Sequence, residues 1–179
     1  MTTAISSSRP SWKTTCRSTP RLSWARALVL AVAVAASPVM AAGPAETVLA
    51  SVNAARAKAG CQPLRLNGKL EAAARGHAKA MAEQNFFGHA GKDGSRFSSR
   101  IKRQGYSYRA AAENIAAGQR SAGQVVASWL KSAGHRRNIL DCRMTETGIA
   151  LVYQADDRPI RGNRAALRYY WVQVFAAPG

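Results

Sequence analysis

The chain has 179 residues, with 26 Lys and Arg against nine Asp and Glu, a formal net charge of +17 at pH 7. That length suits one domain plus an extension, and the charge speaks to partners and solubility rather than to fold. It points toward anionic counterparts, with a merely solvated basic surface as the alternative.

Residues 1–26 are rich in Ser and Thr and carry Arg9, Lys13, Arg17, Arg21 and Arg26 without an acid. The run Ala27–Ala36 is wholly apolar, and Val39-Met40-Ala41 follows Pro38. A basic start, a short apolar run and a small-residue exit describe a secretory signal over residues 1–41. An uncleaved amino-terminal anchor is the alternative, although ten apolar residues are few for a bilayer. Residues 42–179 then form a single domain outside the cytoplasm, secreted or periplasmic, with 21 basic residues, nine acids and a net charge of +12.

In residues 46–59, Val48, Val52, Ala55 and Ala59 recur at a helical period, and Gly60 stops the pattern. Asn67 is placed to cap a second helix, whose apolar stripe is Leu70, Ala73, Ala74, His77 and Met81. His77 reads there as a core-facing histidine that donates to a neighbour. The glycine-rich stretch 85–95 reads as a loop. Ser95 is expected to cap a short helix with Phe97 and Ile101, which Gly105 ends. A short strand is expected around Glu113. Ser121 and Gln124 match a capping box for an amphipathic helix containing Val125, Trp129 and Leu130, which Gly134 is expected to end in a left-handed conformation. Residues 147–153 and 169–175 read as two strands of an antiparallel hairpin. Helices and short strands without regular alternation give an α+β class, with helices on a small antiparallel sheet.

Without the leader, Cys61 and Cys142 remain as an even pair in an oxidising compartment, so a disulfide is expected, with two free thiols as the alternative. Four titratable residues sit where their type is unexpected. His89 lies in a glycine-flanked loop, and His135 follows the Trp129 helix. Glu113 interrupts a run of small apolar residues, and Glu146 directly precedes an apolar strand. A charge in an apolar segment is costly unless paired, so these residues are candidates to meet. The chain contains no His-Glu-x-x-His motif, no phosphate-binding glycine loop and no Gly-x-Ser-x-Gly elbow. Its basic residues lack the aromatic interleaving of a nucleic-acid module, so no specific nucleic acid is expected.

The segments FFGHAGKDGS, AENIAAG, SWLKSAGHRRNIL, TETGIALVY and YYWVQVF together resemble, in order and spacing, the CAP superfamily of cysteine-rich secretory, antigen 5 and pathogenesis-related proteins, also called the SCP domain. The resemblance runs from about Val48 to Phe175, in the manner of the compact bacterial branch. It implies an α-β-α sandwich and a cleft lined by His89, Glu113, His135 and Glu146. It also implies that Asn114 and Asn138 bond backbone beside that cleft. Such a tetrad could hold a divalent metal, zinc foremost, on His89 and His135. The resemblance implies a module binding a lipid or an anionic envelope component, with a metal-assisted peptidase or esterase as the alternative and a purely structural envelope protein as a third reading.

Overall fold

A computed structural model describes residues 42–179; the proposed leader lies outside the described residues. Nine elements follow one another: α1 (Pro44–Lys58), β1 (Arg65–Leu66), α2 (Gly68–Glu83), α3 (Phe97–Arg103), β2 (Tyr108–Ala117), α4 (Ala122–Lys131), α5 (Ala133–Ile139), β3 (Glu146–Tyr153) and β4 (Tyr169–Pro178).

The sheet order is β1-β3-β4-β2. β3 and β4 form the expected antiparallel hairpin, with Tyr153 opposite Tyr169 and Glu146 opposite Ala176. The strand expected around Glu113 is longer than its pattern suggested, ten residues paired antiparallel to the far side of β4. The two-residue β1 runs parallel to the start of β3, so the sheet is mixed.

β4 is central and buried along nearly its whole length. Its alternation sorts two apolar layers rather than an inside and an outside. Tyr170, Val172, Val174 and Ala176 pack with Leu70, Ala74 and Met81 of α2 and Ile101 of α3. Trp171 and Phe175 pack with Val48 and Val52 of α1, Val125 and Trp129 of α4 and Ile139 of α5. A sheet whose middle strand is covered on both faces is an α-β-α sandwich.

Local chemistry explains most boundaries. Asn67 Oδ1 accepts from Lys69 N at 2.9 Å and Leu70 N at 3.4 Å, which caps α2. Ser121 Oγ accepts from Gln124 N at 3.3 Å, capping α4. Gly60 and Gly105 sit at φ of 76° and 66°. Three readings change. α3 starts one residue late for a Ser95 cap, because Arg96 N donates to Ser99 Oγ at 3.1 Å. The buried face of α1 is Val48, Val52 and Arg56, not Ala55 and Ala59. Lastly, α4 ends at the extended residue Ser132 (φ −84°, ψ 123°), while Gly134 lies inside a new helix, α5.

Candidate functional site

Glu113 occupies the middle of β2 opposite Val174, and its side chain is only 1% exposed. An ionised carboxylate in that position must be matched by charge and hydrogen bonds. Arg100 of α3 supplies both. Its Nη2 spans the carboxylate, 3.1 Å from Oε1 and 2.8 Å from Oε2. The same guanidinium donates to the carbonyls of His89 at 3.0 Å and Ser95 at 2.9 Å. Arg100 thereby ties the loop between α2 and α3 to the sheet.

His89 sits on that loop and donates Nδ1–H to Glu113 Oε1 at 2.9 Å. With Nδ1 protonated, the neutral ring carries its lone pair on Nε2. Its side chain is 55% exposed, so the ring spans from the buried carboxylate to solvent. His77 braces the loop from below. It is buried, its Nε2–H donates to Gly88 O at 2.8 Å, and its ring meets Phe86 edge-on at 6.0 Å. Desolvation lowers its pKa against the opposing pull of Glu113.

His135 belongs to α5, and two asparagines hold that helix against β2. Asn114 Nδ2 donates to His135 O at 3.2 Å. Asn138 Nδ2 donates to Asn114 Oδ1 at 2.9 Å and to Glu113 O at 3.3 Å. Trp129 and Ile139 are buried on either side of the break, and Trp129 Nε1–H donates to Ile115 O at 3.2 Å. Burial lowers the pKa of the His135 ring, and the proximity of His89 lowers it further. Both effects favour neutral imidazole.

Glu146 keeps different company. Its Oε2 accepts from Tyr106 Oη at 2.7 Å and Asn67 Nδ2 at 2.9 Å, and its Oε1 faces Arg65 at 3.7 Å. Among the described residues no hydrogen bond or ion pair joins it to His89, Glu113 or His135. Burial and that carboxylate push the Tyr106 hydroxyl pKa up. The four expected residues thus divide into a His89–Glu113 pair with His135 nearby, and a separate Glu146 clasp that joins β3 to the cap of α2. No group of three or more His, Cys, Asp or Glu among the described residues is arranged to hold a metal ion.

Arg100 is the participant that residue patterns did not disclose. It stands in a basic helix, RFSSRIKRQ, where every cation reads as solvated. The one available signal was the unmatched Glu113, which required a buried cation from somewhere. Between α2 and α3, Arg100 and His77 also line a cleft of about 390 Å³ floored by Ala72, Ala73, Gly76 and Ala80.

The family described as CAP, cysteine-rich secretory protein family, matches residues 49–175. The Bacillus subtilis uncharacterized protein YkwD is 40% identical over 106 residues, 59% of this chain and 41% of that protein. The uncharacterized membrane protein YlbC of the same organism is 30% identical over 104 residues, 58% of this chain and 30% of that protein. The chain therefore spans less than half the length of these relatives. Among solved structures, an extracellular protein containing a SCP domain from Bacillus anthracis gives a TM-score of 0.63 at 24% identity, covering 75% of this chain and 40% of that one. An outer surface protein of Borrelia burgdorferi gives 0.65 at 19% identity, covering 75% and 92%. These structural likenesses concern the fold.

Proposed function

The chain belongs to the CAP family of cysteine-rich secretory proteins, and from that premise we propose that it is an exported binding module rather than an enzyme. The observation that carries this reading is the state of Glu113. A carboxylate acting as general base needs a free lone pair and access to substrate or water. Glu113 instead accepts from Arg100 and His89 and is almost wholly buried. Its role is to orient the His89 ring and to anchor a loop. The metal-assisted peptidase or esterase reading draws less support for the same reason, since the other acid, Glu146, is held by Asn67 and Tyr106.

The ligand we assign is a small lipid or another envelope component, seated in the cleft between α2 and α3. Its floor of Ala72, Ala73, Gly76 and Ala80 offers apolar surface, and Lys92 beside the Arg103–Asp93 ion pair suits an anionic or polar end. A carboxylate that fixes the histidine tautomer also suits metal binding. His89 and His135 would hold zinc or a similar divalent ion, which would supply Lewis acidity there. With two protein donors the affinity is expected to be modest. The extracellular description of the Bacillus anthracis protein supports export.

Native mass spectrometry of protein recovered from its own compartment tests the reading. The expected spectrum shows a bound amphiphile that is lost in Gly76→Phe, whose side chain would enter open space in the cleft. Any zinc adduct should be lost in His89→Ala. Bare polypeptide in every preparation, together with ester or peptide turnover that disappears on His89→Ala, would replace the binding reading by the hydrolase one.

A further inference from the structure

Residues 154–168 join β3 to β4 and carry Arg158, Arg161, Arg164 and Arg168; Arg120 stands just beyond β2. All five are exposed. Strand register gathers them at one end of the sheet, where Tyr153 pairs with Tyr169 and Ala117 with Tyr170. The Glu146 clasp lies at the opposite end, across from Ala176. Arg120 and Arg168 line the same depression of about 340 Å³ with Leu167 and Tyr169, so the two segments present one surface.

No carboxylate among the described residues forms an ion pair with any of these five guanidiniums. Of the two acids in the same stretch, Asp156 is exposed, whereas Asp157 is buried and turned inward. Its carboxylate accepts from Arg158 N at 2.9 Å, Arg168 N at 2.7 Å and Tyr170 Oη at 3.0 Å. Ile160 and Leu167 pack against the core, and Gln154 N donates to Arg168 O at 2.8 Å. The stretch is thus an anchored scaffold that displays arginines outward.

Clustered like charges repel, and a negative partner relieves that repulsion. Guanidinium groups match phosphate oxygens in geometry and hydrogen bonding. The array is spread over an exposed end of the molecule, so it fits many phosphates in a plane better than one small anion in a pocket. Tyr153, 53% exposed, meets Tyr169 beside it at a tilt of 47°, with ring centroids 4.8 Å apart. Amphipathic rings beside cations suit a headgroup layer better than a soluble polymer.

We propose that this end of the sheet docks on an anionic phospholipid bilayer, with the arginines on the phosphates and Tyr153 in the headgroup layer. The inference rests on the proposed export and anionic partner but requires neither the cleft nor its ligand.

Co-sedimentation of the full chain with phosphatidylcholine vesicles, with and without about a third phosphatidylglycerol, tests it. Binding is expected only with the anionic lipid and is expected to weaken at about 0.5 M salt. Each arginine near such a surface contributes roughly a fivefold gain in partitioning, so replacing Arg158, Arg161, Arg164 and Arg168 by Gln should cost over a hundredfold. A charge-matched variant with Lys58, Arg75, Lys79 and Lys102 replaced by Gln should lose far less. His89→Ala should bind like wild type. Equal losses in the two quadruple variants would overturn the proposal, since net charge alone would then explain binding. So would capture of soluble polyphosphate without any binding to anionic vesicles. Loss in His89→Ala with retention in the loop variant would overturn it while leaving the cleft reading intact. A far-ultraviolet circular dichroism spectrum and melting temperature of the Gln variant matching wild type would exclude misfolding as the cause of its loss.

Discussion

At the scale of single residues, two buried side chains set the geometry around His89 through opposite solutions to burial. Arg100 is matched by the Glu113 carboxylate at 2.8 Å, whereas His77 is favoured in its neutral form by desolvation. The second solution makes stability depend on pH. Above about 6.5, the ordinary histidine value, His77 is neutral in both folded and unfolded chains. As pH falls below that value the unfolded chain gains a proton that the native ring resists, so native stability declines until the lowered native value is passed. Urea unfolding of wild type and His77→Gln should show wild type losing stability relative to the variant between pH 7.5 and 5. A constant difference would show that the buried ring titrates normally. His77 was legible because helix periodicity reports which face a residue occupies. Arg100 was not, because its periodicity placed it only on a short basic helix, and its partner lies on strand β2, thirteen positions along.

At the scale of elements, the segment around His135 shows where local rules mislead. Glycine after an amphipathic helix usually marks its end, but the break falls at Ser132, and Gly134 continues as α5. The reason is tertiary: Asn138 must reach Glu113 O and Asn114, and a second helical turn brings it there. Another glycine carries a stricter constraint. A Cβ on Gly148 of β3 would lie 2.0 Å from Leu70 C and 2.1 Å from Glu71 N, both backbone atoms of α2. No rotamer change relieves a clash between Cβ and a helix backbone, so α2 would have to lift from the sheet. Gly148→Ala is expected to cost at least about 3 kcal/mol, read as a drop in melting temperature with loss of the α2 layer. Wild-type stability in that variant would mean that α2 rides farther from β3 than described.

At the scale of the whole molecule, the chain is closed by a disulfide and a buried arginine acting at the same place. Cys61 and Cys142 are bonded, 81 positions apart. Alongside, fully buried Arg56 donates to the carbonyls of Gln62 at 3.0 Å, Ile139 at 2.7 Å, Asp141 at 3.0 Å and Met144 at 2.8 Å. Together they join α1 to the turn between α5 and β3. Reducing the bond should lower the unfolding free energy by about 4–5 kcal/mol in the chain-entropy account. Cys61→Ala with Cys142→Ala, followed by guanidinium unfolding, checks this; a change under about 1 kcal/mol would assign the closure to Arg56. The residue pattern alone determined α1 to α4, the β3–β4 hairpin, the cysteine pair and the α+β class, because capping, periodicity and cysteine count are properties of short segments or of composition. Only the tertiary structure decided that β4 is buried on both faces, that β1 joins in parallel, that Arg100 answers Glu113 and that Glu146 stands apart with Asn67 and Tyr106. Those outcomes depend on which distant side chain can neutralise or hydrogen-bond a group once it leaves water, and that choice is made by three-dimensional proximity rather than by spacing along the chain.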